Sequence, residues 1–481
     1  MKRQLTRRGF LSNAAVGATG LVILSNGRSA HSYAANEGLS FALVGCGGRG
    51  ASFLADKGQY GSLFDYGRVV AMCDVNQKRA AASFEKFPDV PKFEDYRVML
   101  DKMGKEIDAV VVATCDHNHA APSAAAIRAG KATYCEKGLT RTIHEARALA
   151  ELADQYKVVT QEGNNHGYNV RTVEIIRAGI LGDVREVHLS ANGGSGPRPL
   201  PTGTQDVPAG LNWDLWLGPA ADRPYHAQWM AWGQWRDLSN GYMGMWGAHS
   251  YPAVFKGLKL DTLWPVGKKP PVAGRKTVRV TAQVSELAKD NFPRWAIIHW
   301  DIPAREEMPP VRITCYAGYD GQGKAGERWR ATIEEVFAGI PEYGDPANPK
   351  WQHWGGPGRV GLPKAWVGSK GMMYSAGHGC HTTQLLPADK FKDVGAPRES
   401  LPRPLGKSDL RGWIEGIRGG PAPQCNFAEF GGPFTEWTLL ANVATLFPDQ
   451  TLEYDPVDRK VVNLDAANEA VAPEYRKGWS L

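Results

Sequence analysis

Gly45-Cys46-Gly47-Gly48-Arg49-Gly50 sets three glycines at the G-x-G-x-x-G spacing, directly after the apolar run Leu39 to Val44. Between a strand and a helix, such a turn cradles a dinucleotide pyrophosphate. Gly45 permits the tight turn, Gly47 lets the backbone approach the phosphates, and Gly50 allows close helix packing, with Gly48 and Arg49 completing the loop. Asp74 closes the next strand run, Val69 to Cys73. A carboxylate there accepts hydrogen bonds from both ribose hydroxyls and repels a 2′-phosphate, so NAD is expected rather than NADP. A glycine-rich turn in an unliganded protein is the competing reading, and the context weighs against it.

Two further polar clusters follow strand-like runs. Thr114-Cys115-Asp116-His117-Asn118-His119 comes after Ile107 to Ala113. Its side chains can cap the next helix or stand beside a bound dinucleotide, and the two roles can coexist. Glu136-Lys137 ends the run Ala132 to Cys135. A lysine at the mouth of a nucleotide cleft can orient a hydroxyl and share its proton, whereas a lysine without that context is a surface residue.

The elements that must position these groups alternate in type. Strand runs at 39–44, 69–73, 107–113, 132–135 and 158–160 are separated by helical patterns at 51–57, 77–87, 120–129 and 143–156. That alternation predicts a doubly wound parallel sheet, a Rossmann fold, over residues 38–165. The pattern then changes. After a helix over 170–178, strand candidates at 183–191, 276–284, 295–300, 311–316 and 372–375 predict an α+β domain over 166–433 with a large, mostly antiparallel open sheet. Gly193 to Met245 and Pro341 to Pro363, rich in Gly, Pro and Trp, read as long ordered loops. Residues 434–481 are expected to form a helix and a tail that packs back on the body.

The start of the chain is a targeting segment by its pattern. Thr6-Arg7-Arg8-Gly9-Phe10-Leu11 precedes the apolar run Leu11 to Leu24, and Ser32-Tyr33-Ala34 offers a small-x-small cleavage site. Residues 1–34 therefore read as a twin-arginine export signal, cleaved near Ala34, with a periplasmic or otherwise exported destination. The run is shorter than the ~20 residues that span a bilayer, so no stable membrane span is expected. Lys2, Arg3, Arg7, Arg8 and Arg28 carry five of the six net positive charges of the 481-residue chain, leaving one on the remainder. That near-neutral remainder gives no case for nucleic acid. The seven cysteines show no CxxC pair, and no Cys/His group has metal spacing, so buried reduced thiols are expected and a metal is not.

On the glycine turn, Asp74, Asp116-His117-Asn118-His119-Ala120 and Glu136-Lys137-Gly138-Leu139, the chain resembles the Gfo/Idh/MocA oxidoreductases. Trp213-Asp214-Leu215-Trp216-Leu217-Gly218-Pro219, Cys425-Asn426-Phe427 and Tyr475-Arg476-Lys477-Gly478-Trp479 make it similar to the exported bacterial branch, so the likeness covers nearly the whole mature chain. The resemblance implies NAD bound by the residues above, including Thr114, Asp116, His117, His119 and Glu136, and a catalytic role for Lys137. Gly138 stands where the family has proline. The family's Asp, His and Asp at spacings of four and three correspond to Met245, His249 and Pro252. His249 is thus expected as a base and both acids are missing, with a packed remnant as the alternative for His249.

Asn164, Asn165 and His166 fall where the family approaches nicotinamide and substrate, although the asparagines could also cap the next helix. Trp213, Arg236 and Tyr242 are candidate substrate contacts in the tryptophan-rich stretch before His249, where indole faces could stack on a sugar or simply pack. The expectation is an exported enzyme moving hydride between tightly held NAD and a sugar, sugar derivative or cyclitol. A redox-neutral glycosidase or lyase working by oxidation, elimination and re-reduction is the first alternative. A non-catalytic sugar binder is the second, since fold alone does not decide among them. Expected partners are the translocation machinery, a small carbohydrate and further copies of the chain.

Overall fold

In the computed structural model, the apolar run after Gly38 is β1, Leu39–Val44, buried at every position. The structure describes residues 38–481 except 56–60, 165–166, 268–269, 273, 320, 322, 339–362, 377, 381 and 406–407. The export signal therefore lies outside the described residues.

Around β1, the strands β2 (Gly67–Cys73), β3 (Lys92–Phe93), β4 (Ala109–Val112), β5 (Ala132–Glu136) and β6 (Thr160–Gly163) form a six-stranded sheet in the order β3-β2-β1-β4-β5-β6, parallel throughout. The connecting helices are α1 (Arg49–Ser52), α2 (Gln77–Lys86), α3 (Tyr96–Met103), α4 (Ala120–Arg128) and α5 (Ile143–Tyr156). α5 starts on a capping box in which Thr142 and Glu145 satisfy each other's backbone amides. Strand order reverses between β1 and β4, so a crevice opens at the carboxyl ends of β1 and β4, where a doubly wound sheet binds its ligand.

α1 is shorter than the expected helix over 51–57. Its four residues give way to a turn, and 56–60 lie outside the described residues. β6 starts at Thr160, two residues later than expected, because its partner in register is Thr133. β3 and α3 went unpredicted. Two residues of strand carry no periodicity, although Asp95 caps α3 through its side chain.

After α6 (Val170–Arg177) the chain builds a nine-stranded mixed sheet from β7 (Val184–Ala191), β8 (Val278–Val284), β9 (Ala296–Ile302), β10 (Val311–Ala317), β11 (Lys364–Gly368), β12 (Gly371–Ala376), β13 (Thr382–Leu386), β14 (Leu452–Asp455) and β15 (Lys460–Val461). The order is β13-β12-β11-β7-β10-β9-β8-β14-β15, and β7 with β10 is its parallel pair. Alternation sets the faces. Val311, Ile313, Cys315 and Ala317 of β10 join the main core, while Tyr316 turns the other way onto Trp329 and Ile333.

The expected long loop over 193–245 is mostly that, interrupted by α7 (Trp213–Leu217) and ending in the start of α8 (Gly241–Ser250); α9 (Pro252–Gly257) follows, and α10 (Lys324–Val336) carries Trp329 and Ile333. The chain ends with α11 (Ala388–Phe391), α12 (Asp409–Ile417) and α13 (Gly432–Ala444) before β14 and the tail. α8 and α13 cover the inner face of the large sheet and also reach the first sheet. Arg147 of α5 forms a buried two-point ion pair with Glu436 of α13, at 2.9 Å and 2.7 Å. None of the seven cysteines is paired, and six are buried. Among the described residues no helix is long and apolar enough to cross a membrane.

Candidate active site

The glycine turn has the geometry its spacing demands. Gly45 has φ +86°, and a Cβ on it would lie 2.5 Å from the Ala113 carbonyl of the neighbouring strand end. A Cβ on Gly50 would collide with the Gly45 carbonyl, so that glycine is needed for the chain to turn into α1. Asp74 sits at the end of β2. One of its oxygens accepts from the Cys46 and Gly47 amides at 2.8 Å and 3.3 Å, the other from Asn76 at 2.9 Å. Burial raises its pKa while those three amides oppose the shift.

Arg79 lies across the turn: a Cβ on Gly47 or Gly48 would meet its side chain at 2.6 Å or 2.8 Å. A guanidinium thus stands where the pyrophosphate of a dinucleotide would lie, a residue the sequence reading missed although it follows Asp74 by five positions. A cavity of about 180 Å³ here is lined by Gly45, Gly47, Asp74, Arg79, Thr114 and Trp216, among others. These groups fit a dinucleotide, with a glycine turn, a counter-cation lying over it, and a carboxylate at the ribose position.

The cluster after β4 behaves differently from expectation. Thr114 lines the cavity and donates its hydroxyl to the Asn118 carbonyl at 2.8 Å. Asp116, His117 and His119 are buried and turned into the protein. Asp116 accepts from the Ser239 hydroxyl at 3.0 Å and the Asn240 amide at 3.1 Å. His117 has its ring nitrogens 3.1 Å from the Leu238 carbonyl and 2.8 Å from that of Trp216, and burial pushes its pKa down to about 3. His119 bridges the carbonyls of Gly138 and Thr114, at 3.0 Å and 3.2 Å. All three, expected as cofactor contacts, act here as clamps within the protein. Both ring nitrogens of each histidine and one oxygen of Asp116 are engaged in joining the end of β4 to Trp216, Leu238, Gly138 and Ser239.

At the end of β5, Glu136 is buried and pairs with Arg49 Nε at 2.8 Å. Burial raises Glu136 to about 7 against the pull of Arg49. Arg49 is therefore engaged across the mouth of the sheet, with its guanidinium also 4.9 Å from the Phe53 ring. Lys137 follows, half-buried, and its charge acts on three buried carboxyls, Asp116, Glu136 and Glu162.

The Lys137–Gly138 peptide is cis. Any Cβ on Gly138, proline's included, would lie 2.6 Å from Asn240 Nδ2 and 2.9 Å from the Gly244 carbonyl. Asn240 donates that amide to the carbonyls of Gly138 and Thr140, both at 3.2 Å. The missing proline thus has a local cause: the start of α8 sits directly on this turn.

α8 then carries His249 to the end of β6. Its Nδ1 is 2.9 Å from the Asn164 carbonyl. A carbonyl only accepts, so Nδ1 donates, and in the neutral ring Nε2 keeps the lone pair. The Asn164 side chain is occupied, accepting from Gly167 at 2.8 Å and donating to Cys425 Sγ at 3.5 Å, so this residue meets the site through its backbone. Met245 places its sulfur 3.9 Å from the Ser239 hydroxyl, one helical turn before His249, and Pro252 opens α9. Trp246 is 39% exposed with its ring 6.4 Å from that of His249, whereas the other tryptophans of the stretch mostly pack.

Trp213 stacks on Trp216 at 4.9 Å and donates to the Arg223 carbonyl within a small apolar core of its own. Arg236 spends its guanidinium on Ala288, Asn442 and Thr445 and lies over the Phe292 ring. Tyr242 is buried edge-on to Phe292. In this structure Trp213 and Arg236 have their polar groups engaged within the protein, and the buried Tyr242 hydroxyl has no hydrogen-bond partner among the described residues. His166 and Asn165 lie outside the described residues. Among those described, no group of His, Cys, Asp and Glu is arranged to hold a metal.

Residues 39–164 match the family model described as oxidoreductase family, NAD-binding Rossmann fold. Inositol 2-dehydrogenase 1 of Saccharopolyspora erythraea is 35% identical over 126 residues, and inositol 2-dehydrogenase of Salmonella typhimurium is 29% identical over 125. Both alignments take in 25% of this chain and 37% of the relative, so the chain spans little more than a third of the length of these relatives. The WlbA dehydrogenase from Bordetella pertussis, solved in complex with NADH and UDP-GlcNAcA, superposes over 87% of this chain and 99% of its own, with TM-score 0.51 and 14% identity. That likeness extends the shared fold to the large sheet.

Proposed function

We propose, for a chain whose residues 39–164 belong to the Gfo/Idh/MocA oxidoreductase family, that it is an exported NAD-dependent oxidoreductase acting on a secondary hydroxyl of a sugar, sugar derivative or cyclitol. One observation carries the reading. α8 seats Asn240 and Gly244 on the Lys137–Gly138 turn and ties His249 to Asn164, so Lys137 and His249 belong to segments that meet at the carboxyl ends of the paired strands β5 and β6. When bound, NAD supplies the hydride acceptor.

The chain's own groups do the rest. His249, held by Asn164 through Nδ1, presents Nε2 to take a hydroxyl proton near neutral pH. Lys137, set among three carboxyls, orients the same hydroxyl through its ammonium. Trp246 offers an exposed indole face beside His249, suited to the apolar face of a ring. Asp74 favours NAD over NADP by charge. The Arg7-Arg8 signal would carry the protein out already folded around its cofactor.

The redox-neutral glycosidase reading draws on one feature, the Met245 thioether where the family's oxidoreductases usually have an acid. The deciding experiment incubates the purified protein with polyols and glycosides and follows both NADH absorbance and released aglycone. Net NADH supports the oxidoreductase. Aglycone without net NADH supports the redox-neutral cycle. Sugar binding with neither signal overturns both in favour of a binding protein.

A further inference from the structure

The last seven residues of the chain do not trail away from the body. Tyr475 donates its hydroxyl to Glu145 of α5 at 2.7 Å. Arg476 donates Nε to the Gly218 carbonyl at 2.8 Å, Nη1 to the Asp214 carboxylate at 2.7 Å and Nη2 to the Asp214 carbonyl at 2.6 Å, while its amide donates to Pro219. Leu481 packs against the core of the first sheet. Between these anchors Trp479 is half-buried, with the Arg97 guanidinium 4.8 Å from its ring and that of Arg476 at 5.8 Å. It lines the same cavity as the glycine turn, grouped there with Asp74, Asn76, Arg79 and Tyr96.

Those neighbours fix which part of the cleft Trp479 walls. A carboxylate at the end of the second strand meets the ribose of the adenosine half. Side chains from the loop after β3 lie beyond it, where the adenine must go. From this we infer that the C-terminal tail, residues 475–481, is a built part of the dinucleotide site. Trp479 is a cofactor-binding residue whose indole flanks the adenine, and the tail is the strap that retains the cofactor. An indole face gives a purine a stacking partner, and its two guanidinium neighbours hold it in place. The inference rests on the NAD-dependent reading of the site.

The test compares wild type with Trp479→Ala, Trp479→Phe and a chain ending at residue 474, by calorimetric affinity for NAD, ADP-ribose and nicotinamide mononucleotide. Rates of NADH release are followed by fluorescence, and thermal unfolding of the cofactor-free proteins reports folding. Base–aromatic stacking predicts a roughly tenfold weaker Kd for Trp479→Ala. The loss should be equal for NAD and ADP-ribose, absent for the mononucleotide, and largely rescued by phenylalanine. NADH release should quicken in the truncated chain. Unchanged affinity for ADP-ribose and unchanged NADH release in Trp479→Ala would overturn the strap alone. Wild type that binds neither NAD nor ADP-ribose would overturn the strap together with the reading it rests on.

Discussion

His249 Nδ1 lies 2.9 Å from the backbone carbonyl of Asn164, which ties the helix that carries the family's histidine to the end of β6. The contact fixes the tautomer and leaves Nε2 as the basic nitrogen. Replacing His249 with alanine should therefore lower turnover ~10²–10⁴-fold, the usual range for a general base, while bound NAD is retained. Lys137→Ala should do the same. Full activity in His249→Ala, with cofactor content equal to wild type, would show that the histidine only packs.

Met245→Asp restores an acid one helical turn before His249. The Met245 sulfur is near the Ser239 hydroxyl, whose single proton is donated to Asp116, so the new carboxylate would compete with Asp116 for that donor. Dehydrogenase turnover on a polyol should rise. A fall in an activity the wild type already has would instead mark a pocket shaped around the thioether for other chemistry.

Asp74 and Arg79 make opposing demands on a 2′-phosphate. The carboxylate is fixed by three amides, and the guanidinium lies over the glycines beside it. Asp74→Ser should weaken NAD and improve NADP, because the carboxylate that binds the ribose hydroxyls and repels a 2′-phosphate is removed. Equilibrium titration with both nucleotides checks the ratio. A native preference for NADP would show that Arg79 already dominates.

The dinucleotide half of this site was legible because its constraints are local. A glycine at positive φ, an acid at a strand end and a lysine after a strand each leave a mark at fixed spacing. The misread residues were those whose fate depends on contacts distant in sequence. His117 is claimed by Trp216 and Leu238, Arg236 by Ala288 and the end of α13, and Trp213 by Trp216 and Arg223. In sequence these look like free polar and aromatic groups. Arg79 and Trp479 were missed as cofactor contacts for the same reason. For Arg79 the five-residue spacing from Asp74 was the one local signal; for Trp479 nothing in its neighbours announces a return to the cleft.

Gly138→Ala tests whether the glycine is required by α8. The added Cβ would press on Asn240 Nδ2 and the Gly244 carbonyl, so the helix start must move and the two Asn240 hydrogen bonds must lengthen. Overpacking of this kind costs about 1–3 kcal/mol. Turnover should fall more than NAD affinity, since the shift displaces His249 relative to Lys137 and leaves the glycine turn alone. Equal losses in both would point to a general loosening.

Arg147 and Glu436 are almost wholly buried, and Tyr454 also donates to Glu436, at 2.8 Å. Removing one partner of such a pair leaves an uncompensated charge, so Arg147→Met should destabilise by about 3–5 kcal/mol. Arg147→Met combined with Glu436→Gln should recover much of that loss. Chemical denaturation of wild type, both single variants and the double variant measures the coupling, and additive losses would show that the pair does not act as one unit.

Glu162 gives the protein a pH dependence of defined sign. It is fully buried at the end of β6, where the Leu139 amide approaches its carboxylate without closing a well-formed hydrogen bond. Burial raises it to about 8, the charges of Asp409 and Glu136 push the same way, and the Leu139 amide and Lys137 oppose. Unfolded, the group titrates near its ordinary value of about 4.3. Below that pH both states hold the proton and Glu162 contributes nothing. Between about 4.3 and 8 the folded state keeps a proton that the unfolded state has lost, so stability falls as pH rises, and above 8 the penalty is complete. Glu136, raised to about 7, adds to the fall in the same window. Glu162→Gln removes the titration, so its melting temperature should decline less than that of wild type between pH 5 and 9. Parallel profiles for the two proteins would mean that Glu162 ionises normally and that its carboxylate is solvated through an opening the folded structure does not show.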